Sequence, residues 1–259
     1  MHTGRSRDLV VGSSSAPDRP AVAPIGHPPV PARPRRVPSL RSIDYLARDV
    51  LAWARRRDQG PRRRLLPLVT EGYLLIHVPK TGGTSVAAAF HGEDAFVGHT
   101  TARVARRALG PMAYSRLYSF GFVRDPLDRF WSSYRYLRAG GSGNGYDRAQ
   151  QEILAPYSTL EQLVADESML SDLLRQSMHF RPQHRFLCDP AGRVLVKEVG
   201  RFERLADDVR RISERAGVNA ELPYLNASAP DGGELPLGRV ATQRLRDRYV
   251  DDRTLFGYP

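Results

Sequence analysis

The stretch that most constrains how this chain can fold runs from Tyr73 to Phe90. An apolar, β-prone run, Tyr73-Leu74-Leu75-Ile76-His77-Val78, leads into Pro79-Lys80-Thr81-Gly82-Gly83-Thr84-Ser85, and the helix-compatible Val86-Ala87-Ala88-Ala89-Phe90 follows. This is strand, glycine loop, helix. Such a turn points several backbone N–H groups at one spot, where the helix dipole also favours negative charge, so it is suited to bind phosphate. Gly82 and Gly83 let the backbone approach an anion closely, Thr84 and Ser85 add hydroxyl donors, and Lys80 adds a full positive charge.

The pattern recurs. Ser119-Phe120-Gly121-Phe122-Val123 enters Arg124-Asp125-Pro126, and Pro126 suits the first turn of a helix reaching Leu137. Two consecutive strand–helix units predict an α/β fold with a central parallel sheet and crossover helices. Beyond them the spacing predicts helices over 159–166 and 169–178, a strand over 193–199, a helix over 203–216 and a last helix over 242–250. The glycine-rich segment 140–145 reads either as a cover for a site or as a plain surface loop.

The formal net charge of +11 suggests a nucleic-acid partner until it is mapped. Residues 1–66 hold 14 Arg against 5 Asp with no Lys or Glu, a surplus of nine that leaves +2 for the remainder. No nucleic-acid partner is expected from so nearly neutral a globular part. Residues 1–38 are rich in Pro, Arg, Ala, Ser and Gly and predict a disordered tail. Residues 39–66 predict a basic amphipathic helix and linker, with Ile43, Leu46, Val50 and Trp53 on one stripe. That stripe docks on its own domain or rests peripherally on an anionic membrane. The domain proper is expected over 67–259. No apolar run is long enough for a bilayer crossing, and Asp8, Pro17 and Asp18 interrupt any secretory segment, so a cytoplasmic location is the expectation. One cysteine, Cys188, excludes an internal disulfide and reads as a small buried hydrophobe.

Lys80 is one of only two lysines among 39 basic residues, the other being Lys197. In so Arg-rich a chain a retained lysine points to a geometric need, because a compact ammonium fits where a planar guanidinium does not. The nucleotide-kinase signature G-x-x-x-x-G-K-[ST] is absent, since Lys80 precedes the glycines. No Lys and hydroxyl pair is therefore placed for a γ-phosphate and Mg²⁺. Arg124 at a strand end and Ser132 about two turns into the next helix can converge on a second phosphate.

The Pro-Lys-Thr-Gly-Gly-Thr-Ser loop and the Arg124–Ser132 pair together resemble the PAPS-dependent sulfotransferases, where PAPS is 3'-phosphoadenosine 5'-phosphosulfate. The stretch from Tyr73 to Pro259 is similar to sulfotransferase family 2, related to the glycosaminoglycan 2-O-sulfotransferases. Weaker matches are Gly98-His99-Thr100-Thr101-Ala102, Arg181-Pro182-Gln183, Val199 to Glu203, Leu225-Asn226-Ala227-Ser228, Tyr249 to Asp252 and Phe256-Gly257-Tyr258. The resemblance implies a P-loop-containing nucleotide-hydrolase-like fold. It also implies that Lys80, Thr81, Gly82, Gly83, Thr84 and Ser85 hold the 5'-phosphosulfate, and that Arg124 and Ser132 hold the 3'-phosphate.

Sulfuryl transfer needs a cation at the leaving phosphate, for which Lys80 is the candidate, and a base for the acceptor hydroxyl. Histidine suits the second task near neutral pH. His99 is the candidate, because it lies between the two phosphate motifs and matches the family's Gly-His segment. His77 reads as buried support, and His179 and His184 as structural residues or acceptor contacts. Glu198 or Glu203 is an alternative base, Glu203 also a brace. Arg129 reads as a helix-surface arginine or as a further phosphate or acceptor contact. No metal is expected, and the acceptor implied by family analogy is a hydroxyl on a polysaccharide or glycolipid. Competing readings are a kinase using ATP and Mg²⁺, and a non-catalytic anion-binding protein.

Overall fold

The computed structural model describes residues 72–92, 97–222 and 235–259. The tail expected over 1–38 and the basic helix and linker expected over 39–66 lie outside the described residues. β1, Tyr73–Ile76, is buried along its whole length. It pairs in parallel with β2, Tyr118–Val123, placing Tyr73 opposite Tyr118 and Ile76 opposite Gly121. β3, Glu198–Arg201, pairs in parallel with the other edge of β2, from Phe120 opposite Glu198 to Val123 opposite Arg201. Among the described residues the sheet order is β1-β2-β3.

The helices, in chain order, explain how this sheet is covered. α1 (Gly83–His91), α2 (Ala102–Leu109) and α3 (Pro111–Arg116) lie between β1 and β2. α4 (Pro126–Arg138), α5 (Gly145–Leu154), α6 (Leu160–Ala165), α7 (Glu167–Gln176) and α8 (His184–Leu187) lie between β2 and β3. A 3₁₀ turn, Phe202–Arg204, runs into α9 (Leu205–Ala216), and α10 (Arg239–Arg248) and α11 (Val250–Phe256) end the chain.

Strand side chains alternate between two faces, and both faces are apolar, as a covered parallel sheet requires. Tyr73, Leu75, Phe120 and Phe122 pack with Val86, Ala87 and Phe90 of α1 and Val209 and Ile212 of α9. Leu74, Ile76 and Val123 pack on the other face with Ala105 of α2, Phe186 and Leu187 of α8, and Phe256 of α11. Cys188 joins this second core, where burial pushes its thiol up to about 12. A third apolar cluster is helical: Phe130, Tyr134 and Leu137 of α4 meet Leu163, Leu170 and Leu173 of α6 and α7 and Leu245 of α10. None of the described helices is long and apolar enough to cross a membrane.

The strand expected over 193–199 begins later, at Glu198. Asp189 closes a hairpin by accepting from the backbone of Ala191 and Arg193 through Oδ1, so Val194 makes only an antiparallel bridge to Cys188. The parallel ladder starts where Lys197 N donates to Ser119 O at 2.8 Å. The single helix expected over 242–250 is two, α10 and α11, divided at Tyr249.

Gly121 is the point of closest approach within the sheet. A Cβ there would stand 2.9 Å from the Ile76 carbonyl oxygen and 2.7 Å from Leu187 Cδ2. Gly121→Ala is expected to cost about 1–3 kcal/mol, because backbone cannot yield as a side-chain tip can. Thermal melts checked against Gly145→Ala, whose site has nothing within 4 Å, should show a lower Tm for the first variant alone.

Candidate active site at the carboxyl edge of the sheet

Both sequence-predicted anion motifs leave the same edge of the sheet from neighbouring strands. After β1, Thr81 is buried and its Oγ1 donates to Val78 O at 2.9 Å, which pins the turn. Lys80 has φ of 67°, the one positive value on a non-glycine among the described residues. That conformation costs a side-chain-bearing residue roughly 1 kcal/mol or more and persists only where the surroundings enforce it. Gly82 (φ 75°) is the N-cap of α1, and a Cβ on it would come within 2.8 Å of Leu205. A Cβ on Gly83 would stand 2.0 Å from His77 Cδ2, so the His77 ring occupies the space any larger residue would need.

No side chain caps α1. By contrast Thr101, Asp125, Asn144, Thr159 and Asp166 cap α2, α4, α5, α6 and α7. Thr84 and Ser85 sit in the open first turn, exposed and half-exposed respectively. Orphan N–H groups at such a terminus are the donors that an anion satisfies.

Arg124 follows β2 directly and is 6% exposed. Its peptide is held from both sides by one amide: Arg124 N donates to Gln183 Oε1 at 2.9 Å, and Gln183 Nε2 donates to Arg124 O at 2.7 Å. Gln183 is itself held by Asp252, which accepts from Gln183 N (2.6 Å), His184 N (2.8 Å) and His184 Nδ1 (2.7 Å). Burial alone would raise the Asp252 carboxyl, but the His184 and Arg129 charges and these hydrogen bonds hold it below the ordinary range. Ser132 is buried in the second turn of α4. Phe202 joins the two motifs, standing beside Gly82 and carrying the Arg124 guanidinium 4.4 Å from its ring centroid.

Arg129 departs from the helix-surface expectation. It is 0% exposed, with both terminal nitrogens of its guanidinium donating to backbone carbonyls. Nη1 donates to His179 O (2.9 Å) and more weakly to Pro79 O (3.4 Å), and Nη2 donates to Arg181 O (2.6 Å). One side chain of α4 thereby ties the glycine loop to the segment before α8.

His99 stands beside the loop. Its Nδ1 is 3.2 Å from His77 O, and a carbonyl only accepts, so Nδ1 carries the proton and Nε2 keeps the lone pair. Burial lowers its pKa, against the His77 carbonyl and the Asp147 charge, which raise it. The His77 ring lies 4.3 Å away and the His179 ring 6.5 Å away. His77 Nδ1 donates to Val97 O at 3.1 Å, and His179 Nε2 donates to Asp147 Oδ1 at 3.1 Å. Burial takes His77 and His179 each down to about 4. His184 is paired with buried Asp252, away from this cluster.

The carboxylate alternatives are otherwise engaged. Glu198 accepts from Tyr118 and pairs with Arg211 and Arg215. Glu203 braces the second motif, accepting from Asp125 N at 2.6 Å and from Tyr258 OH at 3.0 Å. The segment 140–145 is fastened to Asp147 through Ser142 N and Oγ, at 2.9 and 2.8 Å, rather than standing free as a cover. Among the described residues no cluster of His, Cys, Asp and Glu is arranged to hold a metal.

Two groups at this site are absent from the sequence-based expectations. Tyr136 follows Ser132 by four residues on α4, a helical spacing that places them on one face and offers a signal. Asp147 offers none beyond Asn144, which caps α5 by accepting from Asp147 N.

A parallel strand–loop–helix pair with one open helix terminus, a buried arginine and a histidine beside the loop thus meets at one edge of the sheet. The chain belongs to the sulfotransferase family, whose profile matches residues 70–259. It is 29% identical over 161 residues to mouse (Mus musculus) carbohydrate sulfotransferase 14. That alignment covers 55% of this chain and 42% of the relative, so the chain spans less than half the length of the protein it matches. No solved structure matches this chain.

Arg129→Met is expected to destabilise the fold by about 3 kcal/mol or more, since three carbonyl acceptors lose a charged donor inside the protein. Urea denaturation measures it. Acid should act on the histidine cluster: His77 and His179 titrate near 4 when folded and near 6.5 when unfolded. The unfolded chain therefore binds more protons between those values, and stability falls as pH drops through that window. His179→Gln should flatten the Tm-against-pH slope there.

Proposed function

We propose that this protein transfers a sulfuryl group from PAPS to an acceptor hydroxyl on a carbohydrate. The observation that carries the reading is the adjacency of two different strand–loop–helix units on one sheet edge. The open N-terminus of α1 with Lys80 suits a 5'-phosphosulfate, and Arg124 with Ser132 suits the separate 3'-phosphate of a doubly phosphorylated ribose. Room at Gly82 and Gly83 is taken by Leu205 and His77 behind the loop, so the backbone itself faces the ligand side. Membership of the sulfotransferase family supports the donor, and the likeness to a carbohydrate sulfotransferase supports the acceptor class.

In this reading Thr81 fixes the turn, and Gly82 to Ser85 supply N–H and hydroxyl donors. His99 Nε2 takes the proton from the acceptor hydroxyl as its oxygen bonds to sulfur. The bond from sulfur to the donor phosphate breaks, and the Lys80 ammonium stabilises the charge left on that phosphate oxygen. His99 is neutral at neutral pH because burial disfavours its charged form, so it enters the cycle ready to accept a proton.

The test begins with thermal stabilisation by adenosine 3',5'-bisphosphate (PAP) set against ATP with Mg²⁺, and proceeds to labelled-sulfate transfer onto a glycan panel. Stabilisation by PAP is expected; stabilisation by ATP with Mg²⁺ alone favours a kinase. Lys80→Ala should lower kcat about 10²–10³-fold, and His99→Ala about 10²–10⁴-fold. The acid limb of kcat/KM should lie below pH 6.5, the ordinary histidine value. The groups facing His99 are the His77 and His179 rings and the Asp147 carboxylate, while the Lys80 charge acts on His179. An acid limb above that value overturns His99 as the base.

A further inference from the structure

We propose that Tyr136, clamped through its hydroxyl by Asp147, is the positioning platform that holds the Lys80 ammonium at the glycine loop. This deepens the sulfuryl-transfer reading and rests on it for its catalytic consequence. Lys80 Nζ stands 4.0 Å from the centroid of the Tyr136 ring. The Tyr136 hydroxyl donates to Asp147 Oδ2 at 2.8 Å, which fixes the plane of the ring beneath the cation. The Lys80 backbone that carries this side chain has φ 67°.

The clamp is built from more than one contact. Asp147 is 1% exposed, and its Oδ2 also accepts from Ser142 N (2.9 Å), Ser142 Oγ (2.8 Å) and Asn144 Nδ2 (3.1 Å). Its Oδ1 accepts from His179 Nε2, whose ring lies 5.3 Å from Tyr136. Burial pushes the Asp147 carboxyl up, but these donors outweigh it and hold the group at about 2, so it is anionic throughout the working range. A Cβ on Gly141 would stand 2.5 Å from Asp147 Oδ2, which accounts for a glycine in the loop at that position.

A ring is a suitable platform for this lysine. The face of an aromatic ring attracts a cation through its quadrupole and brings no opposing formal charge to it. Lysine's flexible four-carbon stem makes such positioning worthwhile, because orientation before reaction removes a cost from the transition state. Tyr136 lies one turn beyond Ser132 on α4, so the helix of one anion unit carries the support for the cation of the other.

The chain's two lysines allow a direct test on the intact chain. Reductive ¹³C-methylation keeps the charge and yields two lysine dimethyl signals, from Lys80 and from exposed Lys197. The Lys80 signal should lie upfield from the ring current of Tyr136, remain so in Tyr136→Phe and move to the Lys197 position in Tyr136→Leu. With unmodified protein, Tyr136→Leu should lower kcat about 10- to 30-fold with PAP affinity changed less than about threefold, and Tyr136→Phe should recover most of that loss. Asp147→Asn, which keeps the ring and loosens the clamp that Tyr136→Phe removes, should group with Tyr136→Phe rather than with Tyr136→Leu.

An unshifted Lys80 signal in the wild type, or equal losses in the Phe and Leu variants, overturns the platform. So does a folded Tyr136→Leu protein with wild-type kcat. Absence of PAP binding and transfer in the wild type counts against the sulfotransferase reading instead, and the methyl spectra then decide the Lys80–Tyr136 contact by themselves.

Discussion

The site depends on the buried guanidinium of Arg129. It projects from α4, the helix that follows β2, and donates to the backbone of Pro79 in the glycine loop and of His179 and Arg181 beyond α7. Three segments far apart in the chain are thereby held by one planar group. Arginine suits the task because its fork of donors is rigid and its charge permanent. The surroundings offset the burial of that charge with carbonyl dipoles and with Asp252, whose field acts on the same guanidinium. Without the Pro79 contact, the glycine loop loses this link to the second strand–helix unit.

Around this tether the polar groups sort by charge. Three histidine rings gather beside the loop with burial favouring their neutral forms, and one carboxylate, Asp147, is kept ionised by the donors it collects. Neutral imidazole next to a cation and an anion is the arrangement a proton acceptor needs near neutral pH. The hydrogen bond from His99 Nδ1 to His77 O then decides which ring nitrogen keeps its lone pair. Helix α11 reinforces the other unit from a distance, because Asp252 orients Gln183, and Gln183 fixes the peptide of Arg124.

Much of this architecture is legible in the amino-acid sequence. Both strand–loop–helix units fall where the apolar runs, glycines and Pro126 place them, because these signals are local and strong. The helices over 160–165 and 167–176 are equally readable from their apolar stripes. The start of β3 is not, since Val194 to Val196 has strand-like composition but is turned back by the Asp189 hairpin. The role of Arg129 is hidden for the same kind of reason: an arginine within a helix carries no local mark of which carbonyls, 50 or more residues away, will surround it.

Residues adjacent in the chain were enough to specify the two strand–loop–helix turns, the parallel α/β class, the retained lysine and the family. Packing alone decided how those parts cooperate: that Tyr136 lies under Lys80, that Asp147 holds Tyr136 and His179 together, and that His99 presents Nε2. These are relations across 11 residues of separation for Tyr136 with Asp147 and 56 for Lys80 with Tyr136. Such relations arise when two layers pack against one sheet, and local propensity carries no record of them.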